Sequence, residues 1–421
     1  MHRIVIVGGG VAGLDLATAL GGRAGYDVSL IDAAAQHVWK PMLHSIAAGT
    51  EDAAIAGTSY VRQARRHGFA YVPGRAAAVD RVGREIVVDA FALNGMTVHP
   101  ARRIVFDTLV LATGSVADPF GVPGVEEHAL HIDGLAEAVR FQEHVLPRLV
   151  AAAQAKRPLS IGIVGGGATG VQLAAELVRI ADTYDALGLG PARAALAVTL
   201  IDRGDRLLPA FPERVSAAAR VRLIELGVVV RLEADVAGIA ADGVELDHGE
   251  LVATDLTVWA AGVRAAPLGA SIAGVDHDRS GRIRVDACCR AAPDVFAIGD
   301  TAAFERGGPE TLPPTAQVAY QQAVYLSRHL PALIEGRGAP PFRYRDFGSL
   351  VALGGYDAYG ALGRFGVFGR GFLRGRVAQL GHAFLYRRHQ WRLHGLRRML
   401  LLWVEETSRR WARGPEKLPS P

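Results

Sequence analysis

Arg3-Ile4-Val5-Ile6-Val7-Gly8-Gly9-Gly10-Val11-Ala12-Gly13 reads as an apolar, β-branched strand that runs straight into a glycine turn and a helix of small residues, Leu14 to Leu20. The order has a mechanical reason. Gly8 permits the tight turn, Gly10 lets backbone N–H groups approach a pyrophosphate, and Gly13 lets the helix lie close on the strand. The anion rests on the helix N-terminus, where unpaired N–H groups and the helix dipole favour it. Gly9 and Ala12 line the same turn. A second strand, Asp27-Val28-Ser29-Leu30-Ile31, ends on Asp32, about twenty positions on, where a carboxylate accepts hydrogen bonds from a ribose.

The arrangement occurs twice. Leu159-Ser160-Ile161-Gly162-Ile163-Val164 leads into Gly165-Gly166-Gly167-Ala168-Thr169-Gly170 and a helix through Ile180, and the next strand, Ala197-Val198-Thr199-Leu200-Ile201, ends on Asp202. One such motif is weak, but each copy has the strand, helix and terminal acid that a dinucleotide site requires. Two sites imply two cofactors. A carboxylate at Asp202 pairs with a 2′-hydroxyl and repels a 2′-phosphate, which favours NADH over NADPH, although Arg203 and Arg206 lie close in sequence.

At 421 residues, half of them apolar, the chain is long enough for two or three domains. No charged, apolar and cleavable leader precedes the first strand, so secretion is not expected. No apolar run approaches the roughly 18 to 20 residues of a spanning helix. Cys288 and Cys289 are the only cysteines, which excludes CxxC or CxxxxC redox pairs and zinc-ligand spacing; no metal site is expected.

Between the fingerprints lies a β-rich connection with Tyr71-Val72-Pro73-Gly74 and Glu85-Ile86-Val87-Val88, then the buried strand Phe106-Asp107-Thr108-Leu109-Val110-Leu111 ending on Ala112-Thr113-Gly114. A parallel segment after the second copy, Asp255 to Ala260, ends on Ala261-Gly262. A further strand, Asp294 to Ile298, ends on Gly299-Asp300 and leads to a helix from about Pro314 to Leu330.

The net charge of +4 hides an asymmetry. From residue 370 onward eleven Arg and one Lys face three Glu, an excess of nine positive charges, so the preceding residues sum to −5. Over Trp391 to Val404 a helical pattern gathers Leu393, Leu396, Met399, Leu400, Trp403 and Val404 on one face, with His394, Arg397 and Arg398 on the other. A basic amphipathic helix with Trp391, Trp403 and Trp411 suits an interfacial anchor on an anionic membrane. No recognition motif accompanies the charge, so nucleic acid is not the expected partner.

Taken together these residues resemble the two-dinucleotide flavoprotein reductases, most closely the type II NADH:quinone oxidoreductases, over nearly the whole length. The specific parts are His37-Val38-Trp39-Lys40-Pro41-Met42-Leu43, Ala112-Thr113-Gly114-Ser115, Phe120-Gly121-Val122-Pro123-Gly124-Val125-Glu126-Glu127-His128-Ala129, Ala261-Gly262-Val263-Arg264, Phe296-Ala297-Ile298-Gly299-Asp300 and Pro314-Thr315-Ala316-Gln317-Val318-Ala319-Tyr320-Gln321-Gln322. The resemblance implies an α/β fold with two Rossmann-like domains. An FAD domain would be discontinuous (1–120 and 263–338), with an NADH domain inserted (121–262) and a C-terminal α+β region (339–421) carrying amphipathic anchor helices. It places FAD on the first fingerprint with Lys40, Pro41, Thr113 and Gly114 beside the flavin, Ala76 near the adenine and Asp300 on the ribityl chain. NADH falls to the second fingerprint, and Gln317 and Gln321 to a quinone pocket. Where the family commonly has Glu, this chain has Gln172, which hydrogen-bonds but cannot carry a proton as a carboxylate does.

The implied activity is transfer of a hydride from NADH to FAD and of two electrons to a membrane quinone, ubiquinone or menaquinone, without proton pumping, at the cytoplasmic face of the cell membrane as a peripheral protein. A homodimer is compatible with the sequence. The lack of paired redox cysteines argues against disulfide reductases and cysteine-dependent sulfide:quinone oxidoreductases. Two other readings stay open: an NADH reductase for a soluble ferredoxin or rubredoxin, which has no evident use for the tail, and a non-catalytic flavin- and NADH-binding sensor.

Overall fold

The computed structural model describes residues 1–93, 95–305, 311–353, 357–362 and 372–413. The chain forms two compact units: Met1–Lys40, Gly57–Val116 and Val263–Tyr344 make the first, and Pro41–Ala56, Ala117–Gly262 and Arg345–Pro421 the second.

In the first unit the opening apolar run becomes the strand His2–Val7, and Ile4, Val5, Ile6 and Val7 are all buried. It sits inside a six-stranded sheet ordered Arg290–Ala292, Val295–Ala297, Thr108–Leu111, His2–Val7, Tyr26–Asp32, Ala70–Pro73. All neighbours run parallel except the outermost antiparallel Arg290–Ala292. Continuous apolar strands are what a parallel sheet covered on both faces demands. One cover is helical: Val11–Leu20 and Ala316–Ile334 pack together. The other is the antiparallel sheet of Ala76–Asp80, Glu85–Val88 and Arg102–Val105. Val5, Val7, Ile31, Ile86, Val88, Phe106, Leu109, Leu111 and Val295 meet in one cluster. Each such buried side chain contributes on the order of 1.5–3 kcal/mol.

The second unit repeats the plan. Its parallel sheet is ordered Ala129–Leu130, Leu256–Trp259, Leu159–Val164, Leu196–Ile201, Val229–Arg231, backed by an antiparallel sheet of Val236–Ala240, Gly243–Leu246 and Leu251–Ala253. Val164, Ile201, Ile239, Val244, Leu246 and Trp259 fill the space between them. The short helix Leu43–Ala48 packs on the helices Leu135–Ala155 and Ala168–Ala186 of this unit.

Residues 345 onward belong to the second unit. The strands Gly348–Leu353, Asp357–Leu362 and Phe372–Arg374 form an antiparallel sheet against which the helix Arg376–His394 lies. The single helix expected over Trp391 to Val404 is instead two, Arg376–His394 and Leu396–Arg413, broken at Gly395 with φ +75°. Glycine takes that left-handed conformation at little cost and ends helices for this reason. The break separates the expected apolar face: Leu393 is buried at 1% exposure, whereas Leu396, Leu400, Trp403 and Val404 are exposed. The glycine-rich turns around 354–356 and 363–371, the Trp411 side chain and the tail end at 414–421 lie outside the described residues. Among the described residues no helix is long and apolar enough to cross a membrane.

Candidate functional site

Two glycine turns repeat one construction almost atom for atom. Gly8 adopts φ +99°, and a Cβ there would lie 2.3 Å from the Ala112 carbonyl oxygen; Gly165 adopts φ +119°, with the corresponding clash 2.3 Å from the Ala260 oxygen. A Cβ on Gly13 would meet the Gly8 oxygen, and one on Gly170 the Gly165 oxygen, so each helix rests directly on its turn. By contrast, Cβ positions built on Gly10 and Gly167 meet nothing within 4 Å. These two residues are the N-caps of Val11–Leu20 and Ala168–Ala186, and neither helix receives a side-chain cap. Uncapped amides facing open space suit an anion. Ala12 is buried in the first turn of one helix, and Thr169 is exposed in the first turn of the other.

The acids at the second strand ends are held in place. Asp32 accepts the Gly9 amide at 2.6 Å and the Ala34 amide at 2.7 Å. Asp202 accepts the Gly166 amide at 2.5 Å and the Gly204 amide at 2.7 Å. Burial raises the Asp32 carboxyl above its ordinary range, opposed by the two amides. The Gly9 oxygen takes hydrogen bonds from Tyr60 Oη at 2.8 Å and, at 3.0 Å, from His37 Nδ1 when that nitrogen carries the proton. The Gly9 peptide is therefore fixed on both sides, and a Cβ would lie 2.4 Å from the Tyr60 ring. In the second copy the Gly166 oxygen is held by the Leu208 amide at 2.8 Å. Burial, followed by the Asp32 charge, pushes the Tyr71 hydroxyl up to about 12. Burial also pushes Tyr60 well up.

In the first unit, further candidates converge at the strand ends. Thr113 Oγ1 and Thr301 Oγ1 are 2.9 Å apart, and Thr301 donates to the Gly114 oxygen at 3.3 Å. Ser115 Oγ donates to Asp300 Oδ2 at 2.7 Å, and Lys40 Nζ donates to Ser115 Oγ at 3.0 Å and to its carbonyl at 3.2 Å. Gly299, at φ +73°, donates its amide to the fully buried Gln322 Oε1 at 2.7 Å, which fixes the turn that presents Asp300. A cleft of about 230 Å³ opens beside Asp300 and Ser115, lined also by Arg264, Arg282, Thr311 and Pro314. A Cβ on Gly114 would point into open space. Ala76 stands opposite Val88 on the covering sheet. Gln317 and Gln321 lie one turn apart and half-buried on Ala316–Ile334.

In the second unit, Gln172 is buried on Ala168–Ala186 and Glu176 follows one turn later on the same side, since i and i+4 share a helix face. Glu176, also buried, accepts from Thr50 Oγ1 at 2.6 Å, Ser45 Oγ at 3.4 Å and Arg179 Nε at 2.9 Å. Pro41 is half-buried, Gly262 half-buried and Ala261 exposed. Arg203 is exposed, whereas Arg206 is committed to the carbonyls of Phe211 and Pro209 at 3.3 and 3.0 Å.

Sequence reasoning missed Tyr60, Ser115, Thr301, Gln322 and Glu176. Ser115 and Gln322 stand inside quoted motifs, and each directly follows a residue read as functional. Tyr60 carries no local signal, because its partner Gly9 is 51 positions away.

The pyridine nucleotide-disulphide oxidoreductase profile matches residues 2–323. A type II NADH:quinone oxidoreductase of Haemophilus influenzae is 34% identical over 437 aligned residues, covering 97% of this chain and 98% of that protein. The type II NADH:quinone oxidoreductase NdhA of Mycobacterium tuberculosis is 30% identical and covers 86% of this chain and 79% of its own length. The structure of NDH2 from Plasmodium falciparum in complex with NADH superposes with a TM-score of 0.82 at 18% identity, covering 99% of this chain and all of that one, which shows a shared fold. The chain therefore belongs to the pyridine nucleotide-disulphide oxidoreductase family and, within it, to the type II NADH:quinone oxidoreductases.

Proposed function

We propose that this enzyme passes electrons from NADH through a bound FAD to a membrane quinone. The observation that carries the reading is the duplicated turn, in which Asp32 and Asp202 each fix a glycine peptide beside an uncapped helix end. The first copy fits FAD: open space at Gly10 and Gly114 takes pyrophosphate and flavin, and Asp300, aimed by the Gly299 turn into a cleft, suits a polyol chain. When bound, FAD supplies the two-electron carrier between nicotinamide and quinone.

The side chains position and neutralise. Uncapped amides at Val11–Leu20 take the FAD pyrophosphate and those at Ala168–Ala186 that of NADH. Asp32 and Asp202, already oriented by backbone amides, keep lone pairs for ribose hydroxyls. Lys40 places a positive charge where Ser115 links it to Asp300. Gln172 orients without carrying a proton, and Gln317 and Gln321 donate to quinone oxygens. The two sheets are Rossmann-like domains in this reading, and Asp202 favours NADH.

The exposed Leu396, Leu400, Leu401, Trp403 and Val404, with exposed Arg397 and Arg398 on the same helix, support peripheral attachment to an anionic membrane surface, at the cytoplasmic face. Anaerobic stopped-flow tests the whole reading. One equivalent of NADH should bleach the flavin band rapidly and a short-chain quinone should restore it. Bleaching without recovery would leave a flavin reductase with another acceptor, and no bleaching would remove the enzyme reading.

A further inference from the structure

We propose that His37 and Tyr60 aim the Gly10 amide at the pyrophosphate of the dinucleotide on the first fingerprint, so that two buried side chains from outside the motif set its grip; this rests on reading that fingerprint as the FAD site. A trans peptide carries its C=O and its N–H on opposite sides. The Gly9 oxygen accepts from Tyr60 Oη at 2.8 Å and lies 3.0 Å from His37 Nδ1, which fills the second lone pair when it carries the proton. Holding that oxygen turns the N–H of the same peptide, which belongs to Gly10, the other way. Gly10 is exposed, is the N-cap of Val11–Leu20, and would meet nothing within 4 Å if it had a Cβ. The amide therefore points away from a packed wall, toward the space where an anion meets the uncapped helix end.

The two donors arrive on one small ladder. Gln36–His37 and Thr58–Ser59 pair antiparallel with His37 opposite Thr58, and Tyr60 follows directly, its amide donating to the Ala35 oxygen at 3.2 Å. His37 and Tyr60 are both buried. The Tyr60 ring packs 5.3 Å from the ring of Tyr71, whose hydroxyl donates to the Ala34 oxygen at 2.5 Å. A Cβ on Gly9 would lie 2.4 Å from the Tyr60 ring, so the hydroxyl reaches the carbonyl only because residue 9 is glycine.

The second fingerprint does without this device. There the Gly166 oxygen is held by a backbone donor, the Leu208 amide at 2.8 Å. A turn that needed only to be closed would need no more than that. Filling both lone pairs of the Gly9 carbonyl polarises the peptide and strengthens its N–H as a donor.

The test is Tyr60→Phe in the full-length protein with its flavin, which keeps the ring and removes the O–H. The phosphorus NMR resonances of the bound pyrophosphate should move from their wild-type positions. FAD should leave about tenfold more readily on dilution, the scale of one hydrogen bond to a charged group. ADP-ribose, the part of NADH that the second fingerprint would hold, should bind the variant as it binds wild type. His37→Leu should move the same resonances, and His37→Asn, whose Nδ2 takes the place of Nδ1, should restore them. A purely structural role would lower the melting temperature with the phosphorus resonances and FAD release unchanged. That result would overturn the proposal, as would an equal loss of FAD and ADP-ribose. If Tyr60→Phe does not fold, the two His37 variants decide the matter by the same readouts. A wild-type protein whose phosphorus spectrum shows no pyrophosphate would instead overturn the FAD reading beneath it.

Discussion

Ser115 Oγ donates to Asp300 Oδ2 at 2.7 Å, and through that hydroxyl the exposed Lys40 ammonium is linked to a carboxylate at the far strand end. Ser115→Ala removes one donor from Asp300 and one acceptor from Lys40. Hydrogen bonds to charged groups contribute roughly 1.5–3 kcal/mol each. Flavin should therefore be released at least tenfold more readily from the variant, as read by the rise in free-flavin fluorescence on dilution.

Gly8→Ala and Gly165→Ala should fail in different ways. Each puts a Cβ 2.3 Å from a strand-end carbonyl at a positive φ, a combination expected to cost about 3 kcal/mol or more. The first should purify without flavin. The second should keep flavin but lose ADP-ribose binding, and a Gly165→Ala protein that still bound ADP-ribose normally would contradict the assignment of the second turn.

Gln172→Glu restores a titratable group where the chain has an amide. If Gln172 lies beside the reacting groups, the turnover profile of the variant should gain a pH-dependent limb that wild type lacks. An unchanged profile across pH 5 to 9 would remove Gln172 from the neighbourhood of the reacting groups.

Arg3 holds the Asp107 carboxyl well below its ordinary range, chiefly by the side-chain hydrogen bond and with help from the Arg3 backbone amide and positive charge. A depressed carboxylate stabilises the fold above its unfolded value, near pH 4, and this contribution fades as pH falls toward the folded value. The Arg3 side chain is 42% exposed, so solvent screening keeps the effect small. Arg3→Gln should lower stability to urea slightly at pH 7 and by less at pH 3.

Leu400→Glu with Val404→Glu adds charge to the exposed apolar side of Leu396–Arg413. Burying two such side chains at an interface contributes on the order of 3 kcal/mol. Co-sedimentation with anionic vesicles should drop by tenfold or more, and raised salt should weaken wild-type binding through the arginines. Unchanged sedimentation would place the anchor elsewhere.

The parts of this fold that follow from local necessity were readable in the sequence. Gly8 and Gly165 must be glycine because a strand-end carbonyl occupies their Cβ position, and Asp32 and Asp202 sit where a parallel strand ends. What escaped depends on contacts distant in sequence. Tyr60 reaches back 51 positions to Gly9, Gln322 reaches 23 positions to Gly299, and Thr50 reaches 126 positions to Glu176. No spacing rule encodes such pairs. The break at Gly395 was missed for another reason: a single glycine inside a helical pattern costs only about 1 kcal/mol, so local propensity does not decide whether the helix continues.

The strand Val295–Ala297 pairs with Thr108–Leu111, whereas the parallel sheet of the second unit draws all its strands from between Ala129 and Trp259. On a ribosome, synthesis proceeds from the N-terminus, and the later sheet can close while the earlier one still shows an unpaired edge at Thr108–Leu111. Unpaired apolar edges recruit other strands. The nascent chain is thus most prone to aggregation in the interval before residue 297 emerges, and in the proposed reading, which sets Asp300 on the polyol chain, flavin is captured only after that interval.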